Sequence, residues 1–381
     1  MIRKNIKKII TVLLVVLVLS GCKKTPTQEV VPAFTETVNE TITIMALGDN
    51  LLHMPVINSG RKADGTFDYT HLFDKLQPEI RDTDISVIGQ ETVFAGKELG
   101  YSGYPLFNSP SDMGKTLVNE GFDVVLHASN HVMDKYAAGI EKTLEFWADY
   151  PDVTVLGINR SDIDKYTVDI KEVKGAKIAM LNYTYGTNGI NVPADKEYLV
   201  NLIDEEKIQA DAAYAEDNAD FTVAFMHWGT EYSVTPDQQQ KDLAEKMCQW
   251  GVDLIIGSHP HVIEPVEWIT SENGNEMLVY YSLGNFVSRQ LEARNLLGGV
   301  ANVSLNYDGE KVVISDYSFM PIVTHYDTTY TQFDVYPLKE YSNDIAPYHG
   351  VASHDGAVSV ERFRNMVDET FEGYDVSVLD Y

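Results

Sequence analysis

The chain has 381 residues, 29 of them Lys or Arg against 57 Asp or Glu, for a formal net charge of −28. A field of that sign repels nucleic acid, which is excluded as a partner, and it repels anionic polymers unless bound cations reverse the sign locally. The hydrophobic content of 44% supports an ample core, either as one large domain or as a domain with an appendage.

The first 21 residues read as a secretory signal peptide. Arg3, Lys4, Lys7 and Lys8 precede an apolar run over 9–19 that is short for a mature membrane span, and the run ends in Leu19-Ser20-Gly21-Cys22. Small residues before a cysteine have the form of a bacterial lipobox. Cys22 is therefore expected to be lipidated and to hold the mature protein on the outer face of the cell membrane. An ordinary signal peptide, or a signal anchor with an incidental cysteine, is the competing reading; core length and small residues favour lipidation. Removing the four basic residues takes the charge from −28 to −32. Residues 22–40, rich in Lys, Thr, Pro, Gln and Glu, read as a flexible tether. With Cys22 acylated, Cys248 has no partner for an internal disulfide.

From residue 42 strand and helix patterns alternate, which argues for an α/β layer fold. A β-branched apolar run over 42–47 leads into Gly48-Asp49-Asn50, with His53 four residues after the aspartate. A helix is expected over 68–77. The run at 84–88 ends in Gly89-Gln90-Glu91, and Ser109-Pro110 opens a helix over 111–120. Residues 122–126 lead to Ala128-Ser129-Asn130-His131, with Asp134 three residues on, and a helix follows over 136–149. A hairpin turns at Lys174-Gly175 within 166–184, and a helix is expected over 204–218. The run at 221–225 ends in Met226-His227-Trp228-Gly229, and Thr235-Pro236-Asp237 opens a helix over 236–250. Residues 252–256 deliver Gly257-Ser258-His259-Pro260-His261. Beyond 262 the pattern is mostly antiparallel β, over 262–270, 276–281, 300–307 and 311–319, with Asp308-Gly309 as the strongest hairpin turn. These late strands are expected to form a second sheet packed on the first. A domain over 41–325 is followed by 326–381, a Tyr-rich tail and a closing helix at 360–371 packed on it. His325, His349 and His354 are read as surface residues, and His127 as a packing residue at a strand end.

Five apolar strands thus each end in a carboxylate, an amide or an imidazole, and in open α/β sheets that end is where ligands bind. An isolated His-x-His pair is more often a packing feature than a ligand pair. Five such endings in one chain argue otherwise. The mixture of oxygen and nitrogen donors suits Zn, Mn or Fe better than Mg or Ca.

As a set, Gly48-Asp49, Gly89-Gln90-Glu91, Ser129-Asn130-His131 with Asp134, His227-Trp228-Gly229-Thr230-Glu231-Tyr232, Gly257-Ser258-His259-Pro260-His261 and Tyr281-Ser282-Leu283-Gly284-Asn285-Phe286 resemble the CapA-type capsule-synthesis proteins. These are linked to poly-γ-glutamate and belong to the calcineurin-like metallophosphatase superfamily. The resemblance runs over about 42–290 and implies an αββα two-sheet sandwich. It also implies two divalent transition metals, Mn, Zn or Fe. Asp49 and His261 would hold one ion, Glu91 would bridge, and Asn130, His227 and His259 would hold the other. His131, oriented by Asp134, would stand as the general acid. Three departures stand out. The usual Asp-x-His opening has Leu51 in place of the histidine, the bridging residue is Glu rather than Asp, and Ser129 replaces the first Asn of Asn-Asn-His. His53 is either a substitute ligand or a rim residue. Trp228, Glu231 and Tyr232 are expected in the pocket wall, with Glu231 as catalytic acid the lesser reading. Asn285 is a candidate to orient a ligand, and Arg289 to grip an anionic group.

Two functions follow as expectations. One is a lipid-anchored, extracytoplasmic metallohydrolase acting on a phosphate ester or related bond of an anionic envelope polymer or its phosphorylated precursor. The alternative is a non-hydrolytic factor for assembly, export or attachment of poly-γ-glutamate or another surface polymer, working within a synthesis complex. A binding lipoprotein with a vestigial metal site is a third reading, favoured only by loss of further ligands.

Overall fold

A computed structural model describes residues 39–379. The signal peptide, Cys22 and nearly all of the expected tether lie outside the described residues. Strands β1 (Glu40–Asn50), β2 (Ile85–Gly89), β3 (Val124–Leu126) and β4 (Thr154–Leu156) pair in that order, all parallel. Sequential parallel strands need crossovers of one hand, which puts every connecting helix on one face of the sheet. The longest helix of each connection is Gln77–Asp82 (with Met54–Ser59 of equal length before it), Asp112–Glu120 and Tyr136–Trp147.

The chain then builds a second sheet from β5 (Asp169–Val173), β6 (Ala176–Thr184), β7 (Phe221–His227), β8 (Leu254–Ser258), β9 (Val266–Thr270) and β10 (Glu276–Tyr280), in the order β5-β6-β7-β8-β10-β9. Side chains alternate across it with period two. Ile178, Met180, Val223, Phe225, Leu254, Ile256 and Leu278 join the core shared with the first sheet. Their neighbours Ala179, Leu181, Ala224, Met226, Ile255 and Val279 pack instead with Ile208, Ala212 and Met247 of the helices Glu205–Asn218 and Gln238–Gln249. The layers are therefore helix, sheet, sheet, helix, the αββα sandwich expected. Among the described residues no helix is long and apolar enough to cross a membrane.

The late antiparallel strands do not form the second sheet by themselves, as the sequence suggested. Only β9 and β10 join it. β11 (Asn285–Val287) pairs parallel with the end of β1, while β12 (Leu297–Tyr307), β13 (Val312–Tyr326) and β14 (Phe333–Pro337) extend the first sheet from the edge of β1 opposite β2. Strand patterns show which face is apolar and say nothing of which sheet is joined.

Two local expectations also change. The helix expected over 68–77 is a 3-10 turn, Thr70–Leu72, followed by the helix Gln77–Asp82. Pro78 has no N–H to donate and is tolerated only in a first turn, so it marks a helix start rather than an interior. The histidines of the C-terminal region are not all on the surface. β13 runs on to Tyr326, and the chain folds back over its end, leaving His349 fully buried and His325 buried, while His354 is exposed. His349 Nε2 donates to the Thr324 carbonyl at 2.9 Å, and its Nδ1 accepts the Val351 N–H at 3.2 Å. Helix Val360–Phe371 packs Phe371 against Phe319. Cys248 is buried and free.

Candidate metal centre

All five strand ends meet at one end of the sandwich. Asp49 is the penultimate residue of β1, and its Oδ2 accepts the main-chain N–H of His259 at 3.0 Å across the gap between the sheets. That oxygen also stands 3.5 Å from His261 Nδ1, and Oδ1 stands 3.6 Å from His227 Nδ1. Glu91 Oε1 lies 4.0 Å from His227 Nε2 and 3.9 Å from His261 Nε2, between the two rings. Asn130 Oδ1 lies 3.0 Å from His227 Nε2. Two donors each about 2.1 Å from one ion, at right angles, are about 3.0 Å apart. Ligand atoms of Asp49, Glu91 and His261 lie within 4.8 Å of one another, as do those of Glu231, His259 and His261.

Parity explains the placement. His227 continues the series Phe221, Val223 and Phe225 that faces the first sheet, and the next residue faces the helices. Trp228 is accordingly buried with the helix-side core, its Nε1 donating to the Tyr281 carbonyl at 2.9 Å. It is not in the pocket wall, where the sequence put it. Gly257 allows this packing: a Cβ there would stand 2.0 Å from the Tyr281 carbonyl oxygen and 2.5 Å from Trp228 Nε1. Just beyond, His259 (φ 100°) and His261 (φ 58°) hold left-handed backbone conformations that are costly for residues with a Cβ. Such strain persists where the surroundings enforce it and clusters at functional sites.

The side chains fit divalent cations. All six expected ligands are buried. Both Glu91 oxygens and His259 Nδ1 lack a hydrogen-bond partner, although buried polar atoms are almost always satisfied. Burial and the neighbouring Asp49 charge raise the Glu91 pKa well above the carboxylate range. Burial alone would lower His261, but the Glu91 and Asp49 carboxylates outweigh it and raise the ring instead. Burial holds His259 near 3 and His227 well below its ordinary value, the other imidazoles adding to the effect, so both present neutral nitrogens. Neutral imidazole is the form that binds a metal. His227 Nδ1 rests on Ser258 Oγ at 3.1 Å, leaving Nε2 turned to Asn130 and Glu91.

His131 stands beside these groups. Its Nδ1 lies 2.8 Å from Asp134 Oδ2, which also accepts the Phe107 N–H at 2.6 Å. Burial lowers the ring's proton affinity, and the Asp134 hydrogen bond and Glu91 charge more than compensate, so its pKa is raised. Phe107 packs edge-on against this ring at 4.6 Å between centroids and against His53 at 5.3 Å.

Residues 43–290 match the family described as bacterial capsule synthesis protein PGA_cap. The chain belongs to that family. It is 36% identical over 187 residues to the PGA biosynthesis protein CapA of Bacillus subtilis (strain 168), covering 46% of this chain and 45% of that protein. It is 25% identical over 284 residues to the capsule biosynthesis protein CapA of Bacillus anthracis, covering 72% and 66%. The chain thus spans less than two thirds of the length of either relative. Among solved structures, the NAD nucleotidase NadN of Haemophilus influenzae overlays with a TM-score of 0.46 at 11% identity, covering 90% of this chain and 58% of that one. The calcineurin-like phosphoesterase YfkN of Bacillus subtilis gives 0.40 at 14% identity, covering 88% and 98%.

Three further residues of this PGA_cap chain reach the centre without having been singled out in its sequence. Asn182 of β6 accepts the Ala128 N–H at 3.0 Å and so fixes the start of the Asn130 loop. Tyr185 lays its ring 4.4 Å from that of His259. Asn188, at φ 50°, accepts from Asn130 Nδ2 at 3.3 Å, which leaves the Asn130 oxygen facing His227. The sequence marks the hairpin ending at β6, but its last residues lack the charge or imidazole that marks the other strand ends. Asn285 Oδ1 lies 2.9 Å from His261 Nδ1. His53 Nδ1 accepts the Arg289 N–H at 3.3 Å, and the Arg289 guanidinium lies over the Tyr330 ring, 4.4 Å from its centroid. His127 accepts from Trp147 Nε1 at 2.8 Å.

Proposed function

We propose that this PGA_cap protein is a lipid-anchored, extracytoplasmic metal-dependent hydrolase, acting on a phosphate ester or related bond of an anionic envelope polymer or its precursor. The observation that carries this reading is the convergence of Asp49, Glu91, Asn130, His227, His259 and His261 around unpaired Glu91 oxygens, beside an imidazole held by Asp134. Those six residues would hold two divalent ions, Mn, Zn or Fe. Bound there, the ions would supply Lewis-acid charge and a water of lowered pKa. The chain's own residues do the rest. Asp134 fixes the tautomer of His131, leaving its Nε2 to deliver a proton to a leaving oxygen. Asn285 and Ser258 turn the Nε2 atoms of His261 and His227 toward Glu91. The acidic surface excludes anionic substrates until cations are in place.

Metal analysis of the purified chain, followed by a screen of phosphomonoesters, phosphodiesters and γ-glutamyl polymers, tests the reading. Two bound divalent ions with turnover of a phosphoester support it. A chain that stays metal-free after reconstitution with Mn, Zn and Fe refutes it. The names of the two curated relatives favour a second reading, a non-hydrolytic factor for assembly, export or attachment of poly-γ-glutamate within a synthesis complex. Metal binding without turnover, together with loss of polymer output in a His227→Ala strain, favours that one.

A further inference from the structure

We infer that Glu231 is itself a metal ligand, adding a carboxylate to the pair of ions beside His261 and His259; this rests on the metal reading above and extends its donor set. Asp49, Glu91 and His261 offer the first ion three protein donors, and Asn130, His227 and His259, with the bridging Glu91, serve the second. Zn, Mn and Fe take four to six, and a site with only three protein donors leaves the remainder to water or to another side chain. Glu231 is the carboxylate in position. Its oxygen and the ring nitrogens of His259 and His261 lie within 4.8 Å of one another, and His261 is common to this group and to the group of Asp49 and Glu91.

Two further observations point to a cation at the same place. His259 Nδ1 is buried and unpartnered, as are both oxygens of Glu91 across the centre. The segment carrying Glu231 is also fixed to the histidine loop, because the Tyr232 N–H donates to the Pro260 carbonyl at 2.8 Å with Tyr232 at φ 68°. That bond ties the residue after the glutamate to Pro260, in the turn between His259 and His261. His53 is the other side chain that the sequence offers for this role. It is engaged elsewhere, with Nδ1 accepting from Arg289 and the ring packed against Phe107. Glu231 is exposed, unlike the other carboxylates of the centre. It is therefore the one carboxylate of this group that also meets solvent.

The test compares the purified full chain with Glu231→Gln, Glu231→Asp and His53→Ala after reconstitution with Mn. Stoichiometry is read by elemental analysis, affinity by calorimetry and coupling between the ions by EPR. Expected results are two ions in the wild type and in His53→Ala. In Glu231→Gln one ion should bind at least about 10-fold more weakly, or be lost, with the coupled Mn signal giving way to an isolated one. Glu231→Asp should fall between. Because the side chain is exposed, thermal melting of the metal-free variants should match the wild type, which separates ligand loss from misfolding. Two ions at wild-type affinity in Glu231→Gln overturn the inference alone. A wild type that binds no ion overturns the metal reading and this inference with it.

Discussion

Asn285 Oδ1 stands 2.9 Å from His261 Nδ1, while the Asn285 amide nitrogen donates to the Asn295 carbonyl at 2.8 Å and to Gln290 Oε1 at 2.8 Å. One buried amide thus fixes the tautomer of a candidate ligand imidazole and anchors it to the loop beyond β11. Partners of this kind raise ligand basicity and typically contribute about 10–100-fold to metal affinity. Asn285→Ala should weaken metal binding by that factor. Asn285→Asp keeps the acceptor and loses the donors, so it should retain more affinity at some expense of stability. Calorimetric titration of both variants checks this; equal affinity in wild type and Asn285→Ala refutes it.

His131 separates hydrolysis from scaffolding. It lies beside the ligands and is held through Nδ1 by Asp134. His131→Ala should keep both metals and its melting temperature while losing about 10²–10⁴ in turnover, the usual range for a general acid. A polymer-handling factor would instead keep polymer output in that variant and lose it in His227→Ala. If His131→Ala sheds its metals, the residue belongs among the ligands.

The His325–His349 pair sets an acid limit on stability. Burial holds His349 near 3 and His325 near 4, the two rings being 4.8 Å apart. Both fold neutral, so the unfolded chain binds more protons below its ordinary histidine pKa of about 6.5. Their contribution is fully present above that value and is lost as pH falls from there toward 3 to 4. At pH 5 the loss from His349 alone is about 2 kcal/mol. Denaturant titrations at pH 7.5 and pH 5 should show it. His349→Phe should be less stable at both and lose part of the difference between them; an unchanged difference would count against the buried neutral pair.

The anchor is tested at the other end of the chain. Cys22→Ser should release the protein from membranes or leave it unprocessed, because the proposed lipid would be attached to that sulfur. Unchanged processing and membrane retention would rule out lipidation there.

Much of the centre could be read from strand endings because its candidate ligands are rare side chains at one recurring position. Asp49, Glu91, Asn130, His227, His259 and His261 converge for that reason. Trp228 was misplaced because two residues adjacent in a strand face opposite sides, and the motif did not say which parity the strand would keep. Asn182, Tyr185 and Asn188 were missed because amides and phenols are common at loops. The buried state of His349 depends on β13 running to Tyr326 and on a fold-back with no periodic signal. The division of late strands between sheets is long-range pairing, which local patterning does not encode.

The hydrogen bond from His259 to Asp49 joins residues 210 positions apart, and β11, β12 and β13 close the sheet that β1 begins. Nascent chain that has not yet reached Asn285 therefore lacks both the support of His261 and the partner strands of β1. Long-range closure of this kind comes late, since the intervening loop must be ordered first. Assembly of the candidate metal centre is accordingly a property of the completed chain.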